Sequence, residues 1–214
     1  METIKVVLIG DSGVGKTSII QRYVNDEYDP NIIFSSSAQF LTKTIELNEL
    51  QTVKFDIWDT AGQEKFRALA KIFYKDARVI ILVYDITNKV SFENLQQYWF
   101  KEIEENSISD AIIVIVGNKS DLYEIEQVTD EEGQKYADEK KAIFKKTSAL
   151  SNRNIDSLFN DIAKKYFNPN YDYQAEDKKI KKEYLEKKLQ ERTIDEENIN
   201  LSMKKDENNS NCCY

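Results

Sequence analysis

The chain has 214 residues, 41% hydrophobic and 11% aromatic, which suits one domain with a proper core and about forty residues to spare. Its formal net charge of −8 argues against general nucleic-acid binding, which calls for a basic face. No run approaches the roughly 18 apolar residues of a membrane span, the first residues lack a signal-peptide pattern, and the only cysteines are Cys212 and Cys213, so no disulfide framework is expected and a reducing compartment is.

In chain order, Ile4, Val6, Val7, Leu8 and Ile9 form a short apolar, β-branched run that reads as a buried parallel strand. Gly10–Thr17 matches G-x-x-x-x-G-K-[ST], and Ser18 onward reads as a helix to about Val24. Asn25 to Pro30 is turn-like, and Phe40 to Leu47 and Val53 to Trp58 make a hairpin across Asn48–Glu49. Asp59 to Gln63 is a loop, followed by a short helix over Phe66 to Lys75. Val79 to Tyr84 is uninterrupted apolar sequence, a central strand covered on both faces. Ser91, with Asn94 three residues on, is expected to open a helix to about Asn106; Ala111 to Val116 is another buried strand. Thr129 should cap a helix to Lys140, Ile143 to Lys146 is a last strand, and Ile155, Leu158, Phe159, Ile162 and Tyr166 mark a final helix. Alternation of strands and helices with one hairpin implies an α/β fold, a mostly parallel sheet with helices on both faces. Pro169 is expected to end the domain. Residues 168–214, with 11 acidic and 9 basic side chains, read as a flexible extension in which Lys178 to Arg192 has weak helical character.

The absence of histidine removes Ser-His-Asp and Cys-His catalysis and His-liganded zinc. Phosphoryl transfer needs none of these, because it runs on positioning and electrostatics. In Ser12, Gly13, Val14, Gly15, Lys16, Thr17 and Ser18, the glycines let backbone N–H groups curl around a pyrophosphate at a helix N-terminus. Lys16 reaches the β- and γ-phosphates, and the Thr17 hydroxyl ligates Mg²⁺. Asn118-Lys119-Ser120-Asp121 follows a buried strand. The Asp121 carboxylate can accept both the N1–H and the 2-amino hydrogens of guanine, and adenine would leave it unpaired. Lys119 can lay its stem along the base with its head in water, and Asn118 can tie this loop to Gly13 or Val14. In Thr147-Ser148-Ala149 the Ala149 N–H can donate to guanine O6. In Asp59-Thr60-Ala61-Gly62-Gln63, Asp59 would hold Mg²⁺ through a water, the Gly62 N–H would meet the γ-phosphate and Gln63 would orient the attacking water. Five of the six glycines lie within or beside these motifs.

Gly10–Thr17, Asp59–Glu64, Asn118–Asp121 and Ser148–Ala149 resemble the guanine-nucleotide motifs of the Ras superfamily, and Trp58 to Phe66, Phe73-Tyr74 and Tyr84-Asp-Ile-Thr resemble its Rab branch. The run Ala38-Gln-Phe-Leu-Thr-Lys-Thr-Ile is similar to the early-endosomal Rabs. The resemblance covers residues 4–167. It implies a P-loop fold of the Ras-like G-domain type, six strands with one antiparallel edge, over residues 1–167, and a tail over 168–214. It implies a monomeric GTP/GDP switch with Mg²⁺ that hydrolyses GTP slowly, with Gln63 and Lys16 as catalytic residues. Its partners would be an exchange factor, an activating protein, a GDP-dissociation inhibitor or escort protein, and effectors. It places Tyr28 against the guanine and makes Phe40, Trp58 and Phe73 an aromatic surface for effectors. The terminal Cys212-Cys213-Tyr214 is similar to doubly prenylated Rab ends, which implies a lipid anchor on the cytosolic face of an endomembrane, with a cytosolic pool. The alternative is a GTP-binding scaffold that hydrolyses very weakly.

That alternative rests on one departure. Where the family has a threonine that ligates Mg²⁺ and meets the γ-phosphate, ungapped counting from Thr17 reaches Ser35, followed by Ser36 and Ser37. Serine keeps the oxygen ligand and loses the methyl that packs the closed loop. Ser35→Thr should therefore move the population toward the closed form and tighten effector binding, whereas Ser35→Ala should lose effectors at nearly constant GDP affinity. Phosphorus NMR of a bound GTP analogue reads the two states. A single closed signal in the parent, unmoved by Ser35→Thr, would show that serine suffices.

Overall fold

In chain order the elements are β1 (Glu2–Ile9), α1 (Lys16–Asn25), β2 (Gln39–Asn48), β3 (Gln51–Asp59), β4 (Val79–Asp85), α2 (Lys89–Asn94), a π turn (Leu95–Trp99), α3 (Phe100–Asn106), β5 (Ile112–Asn118), a 3₁₀ segment (Ser120–Ile125), α4 (Asp130–Glu139), β6 (Ile143–Lys146) and α5 (Ile155–Phe167). The structure, a computed structural model, describes residues 1–30, 39–60, 73–108, 110–186 and 188. Ser35, Gly62, Gln63, Cys212 and Cys213, and the start of the helix expected from Phe66, lie outside the described residues.

The six strands form one sheet in the order β2-β3-β1-β4-β5-β6. The β2–β3 hairpin is its antiparallel edge, with Phe40 opposite Trp58, and the other pairs are parallel. Every residue of β4 is buried, as its unbroken apolar sequence requires. Side chains alternate across the sheet. Val7 and Ile9 of β1 join Ile80, Leu82 and Tyr84 of β4 in a core roofed by Phe92, Leu95, Trp99, Phe100, Ile103, Tyr136 and Ala137 from the helices after β4. Val6 and Leu8 point to the other face, where Tyr23 of α1 stacks on Phe159 of α5 at 3.6 Å and meets Phe55 of β3 edge-on at 6.4 Å. The sheet is thus clothed on both sides.

Among the boundaries that differ from the sequence reading, three have a plain physical cause. α2 starts at Lys89, not Ser91: the Asn88 side chain accepts from the Ser91 N–H at 3.3 Å, while the Ser91 hydroxyl donates to the Asn88 carbonyl at 2.7 Å and accepts the Asp85 N–H at 3.0 Å. The serine was drawn to the end of β4, and the carboxamide three residues earlier took the cap. β5 runs through Gly117 and Asn118, poor strand formers held by pairing with Tyr84 and Asp85. A helix occupies 173–186, upstream of the expected start at Lys178, because the Asp172 carboxylate accepts the N–H groups of Gln174 and Ala175 at 3.0 and 3.1 Å. By contrast Thr129 and Glu132 form the reciprocal capping pair of α4 where the sequence placed a cap.

The described residues divide into two units, Met1–Tyr171 and one that begins at Asp172. The first runs past Phe167 because the Tyr171 hydroxyl donates to Asp161 of α5 at 2.9 Å. Asp161 is also paired with Lys145 of β6 at 2.7 Å, with the two side chains only 7% and 5% exposed. Removing one member of such a pair leaves a buried charge, whereas replacing both with apolar groups removes the dehydration cost too. Lys145→Ala should therefore lose about 3–5 kcal/mol of stability, and Lys145→Met with Asp161→Leu should stay close to the parent. Denaturant unfolding at a fixed saturating GDP concentration measures both, and equal losses would contradict the pairing.

Candidate functional site

Because β1 pairs in parallel with β3 and β4, and β4 with β5, the chain leaves each of these strands at the same edge of the sheet. Ligands of such sheets bind beyond the carboxyl ends of the strands, and there the sequence motifs meet. After β1 the backbone turns at Gly10, where φ is 142° and a Cβ would strike the Val83 carbonyl of β4. Gly15 precedes α1 at φ 95°, and a Cβ there would strike the Asn118 amide. Lys16 is 5% exposed, and its Nζ donates to the carbonyls of Gly10 at 2.9 Å and Asp11 at 2.8 Å. Burial pushes the ammonium down to about 8, with Asp59 and then Asp11 pulling the other way. The Thr17 hydroxyl donates to Asp59 Oδ2 at 2.5 Å. Asp59 is fully buried at the end of β3, level with Leu8 of β1, and the Thr60 hydroxyl anchors the next residue to the Leu8 carbonyl at 2.6 Å.

Thr17 and Asp59 are hard oxygen donors, a set that fits a small divalent cation sharing phosphate and water oxygens. Among the described residues, no group of three or more His, Cys, Asp or Glu side chains gathers as an all-protein metal cage. A phosphate-bridged cation does not need one.

The residues expected to read the base close the other end. Asn118 reaches back to the phosphate loop, its Nδ2 donating to the Val14 carbonyl at 2.9 Å, and its Oδ1 accepts the Thr147 hydroxyl at 3.1 Å. The Ser120 N–H donates to the Thr147 carbonyl at 2.9 Å, so the loops after β5 and β6 are stitched together. Ser148, fully buried, donates to Asp121 Oδ1 at 2.5 Å and accepts the Ser151 N–H at 3.0 Å. Ala149 is buried beside it, and its carbonyl accepts Arg22 Nε of α1 at 2.9 Å. One partner is added to the expectation: the Lys119 ammonium, on a side chain 34% exposed, pairs with Asp85 Oδ2 at 2.6 Å. Asp85 also accepts the Thr87 N–H and hydroxyl through Oδ1, at 2.9 and 2.7 Å. The sequence reading used Asp85 only within Tyr84-Asp-Ile-Thr and gave it no role in the site. Its place at the end of β4, opposite Asn118 in the register, is the signal that could have found it.

The remaining predicted residues divide. Ser12 and Gly13 are exposed at the loop's crest, Val14 is buried, and Ser18 is half-buried in α1. Tyr28 is half-buried in the segment after Asp26, the C-cap of α1. Phe40, Trp58 and Phe73 form a continuous aromatic surface, with ring centroids 4.8 Å apart for the first pair and 5.7 Å for the second. Phe40 is 50% exposed, while Trp58 and Phe73 are half-buried and back onto the core.

A model of the Ras family matches residues 5–168. Ras-related protein Rab-22A of Homo sapiens is 45% identical over 166 residues, covering 77% of this chain and 84% of that protein. Ras-related protein Rab-31 of Mus musculus is 44% identical over 162 residues, covering 75% and 82%. Ras-related protein SEC4 of Candida albicans is 41% identical over 159 residues, covering 74% and 75%. Both the match across the sheet and motifs and this level of identity are family-defining: the chain belongs to the Ras family, within it to the Rab small GTPases, which bind GTP and GDP, hydrolyse GTP and act in membrane traffic.

Proposed function

We propose that one guanine nucleotide lies along the edge formed by Gly10–Thr17, Asn118–Asp121 and Ser148–Ala149, and that its γ-phosphate sets the state of a membrane-traffic switch. The observation that carries this is the Asn118 amide bonded to the Val14 carbonyl, because it couples the base-reading loop directly to the phosphate loop. Asp121, oriented by Ser148, accepts the N1–H and 2-amino hydrogens of guanine, and the Ala149 N–H donates to O6. Lys119, steadied by Asp85, lays its stem on the base beside Tyr28. Ser12, Gly13, Val14, Gly15 and Ser18 contribute the phosphate-facing backbone and helix start, and Lys16 bonds the β- and γ-phosphates. Thr17, Asp59 and Ser35 would hold Mg²⁺, which when bound neutralises charge on the phosphate oxygens. Gly62 offers its N–H to the γ-phosphate, and Gln63 orients the attacking water. No arginine of the motifs is placed as a finger in cis, so hydrolysis is slow until an activating protein supplies one, worth about 10³–10⁵ in rate.

In the GTP state Phe40, Trp58 and Phe73 present the surface read by effectors; an exchange factor reloads the switch, and a GDP-dissociation inhibitor or escort protein carries the lipidated GDP form. Among the described residues no helix is long and apolar enough to cross a membrane. Prenyl groups on Cys212 and Cys213 provide the anchor, on the cytosolic face of the early endosome. The run Ala38–Ile45 supports that address.

Asp121→Asn turns an acceptor into a donor. It should cost GTP about a hundredfold in affinity or more and favour xanthosine triphosphate, whose C2 carbonyl accepts the new donor. A titration giving GTP affinity within about threefold of the parent would refute the guanine assignment. The anchor has a separate check in cell fractionation. Cys212→Ser with Cys213→Ser should release the protein wholly to the cytosol at unchanged nucleotide affinity, and either single change should leave a weak, reversible association. Undiminished membrane binding of the double variant would remove the lipid anchor from the account.

A further inference from the structure

Asp11, next to Gly10 in the phosphate loop, has both carboxylate oxygens engaged by the helix after β4. Asn94 Nδ2 lies 2.6 Å from Oδ2, and the indole Nε1 of Trp99 lies 2.8 Å from Oδ1. These donors are five residues apart. At 3.6 residues per turn that spacing would set them about 140° apart around a regular α-helix, too far for one carboxylate. The π turn Leu95–Trp99, closed by the Phe100 N–H on the Leu95 carbonyl, absorbs the extra residue and brings both to the same side. π turns within α-helices are rare and concentrate at functional sites. Trp99 is 2% exposed, and its N–H bond to the half-buried Asp11 is partly buried. The same Asp11 offers its backbone carbonyl to Lys16 Nζ at 2.8 Å.

We propose that Asn94 and Trp99 are positioning residues of the nucleotide site, acting through Asp11; this rests on the reading of Gly10–Thr17 as the phosphate loop. The π turn clamps the Asp11 carboxylate against the helix and thereby fixes the carbonyl that carries Lys16. Released, the carboxylate is a negative charge at the mouth of a loop that binds phosphates, able both to repel them and to draw the Lys16 ammonium away. The clamp slows nucleotide release.

The test uses the full chain loaded with fluorescent GDP. Trp99→Phe should release GDP about tenfold faster, the size expected for losing a hydrogen bond to a charged group, and Asn94→Ala should also be faster. With Asp11→Asn already in place the charge is gone, and Trp99→Phe should then add less than about twofold. A Trp99 that merely fills the core would lower thermal stability equally in both backgrounds without that coupling. In nitrogen–proton NMR the indole signal that vanishes in Trp99→Phe should shift in Asp11→Asn and again when GDP is exchanged for a GTP analogue. Lys16→Ala checks the underlying reading on its own, because undiminished nucleotide binding there would fault the phosphate loop itself. Should Trp99→Phe fail to fold, Asn94→Ala and Asp11→Asn still decide. Release within about twofold of the parent in the folded Trp99 and Asn94 variants, with Lys16→Ala weakened, would overturn the clamp.

Discussion

β1 is hydrogen-bonded in parallel to β3 on one side and β4 on the other, and the site follows from that pairing. From β1 the chain builds outward in two directions, through β3 to the β2 edge and through β4 and β5 to β6. Parallel neighbours need crossover connections, which put the helices on the sheet's faces and leave a crevice at the strand ends where the direction of winding changes. Gly10 stands at that crevice, pressed against the Val83 carbonyl of β4. Asp59, Asp85, Asn118 and Thr147, distant in sequence, arrive there because they end, or directly follow, the neighbouring strands. The chemistry is assembled by the ladder.

Collecting polar groups at one edge has a cost, since buried polar atoms lose water and must find partners. The residues answer it with one another. Asn118 spends its amide on Val14 and Thr147, Ser148 its hydroxyl on Asp121 and Ser151, Thr17 its hydroxyl on Asp59, and Lys16 its ammonium on two loop carbonyls. These bonds tie the described part of the site together without a ligand, and ordering prepared in advance does not oppose binding. The Lys16 bonds are to neutral carbonyls. A phosphate oxygen is a charged acceptor and forms the stronger bond.

Much of this was legible in the chain. The apolar run Val79–Tyr84 announced the central strand, and the glycine spacing of Gly10–Thr17 announced the turn, because in both cases the local sequence has one low-energy solution. The motif residues on described segments lie together at the strand ends because the strands that carry them are neighbours in the sheet. What escaped was settled by tertiary context. Asn88 displaced Ser91 as a cap only because β4 ends where its last residues can engage the serine. The partner of Lys119 lies more than thirty residues away and is found through strand register, not spacing. The π turn is invisible to a periodicity argument, which assumes one repeat along a helix and reads an added residue as noise.

Asp85 and Asp11 resolve a problem of charge. A chain of net charge −8 has to hold a nucleotide that is itself strongly negative. Long-range attraction cannot supply the binding, because charges beyond roughly 10 Å are screened at cellular ionic strength. The local field decides, and beside Asp59 and Asp121 two further carboxylates, Asp85 and Asp11, stand there. Each is tied down by partners that blunt its charge: Asp85 by the Lys119 ammonium and Thr87, Asp11 by the Trp99 indole and Asn94. Among the described residues Lys16 bonds two neutral carbonyls, at the head of a helix whose N-terminal dipole has the same sign. Asp11 and Asp85 thus serve as struts rather than as repellent charges.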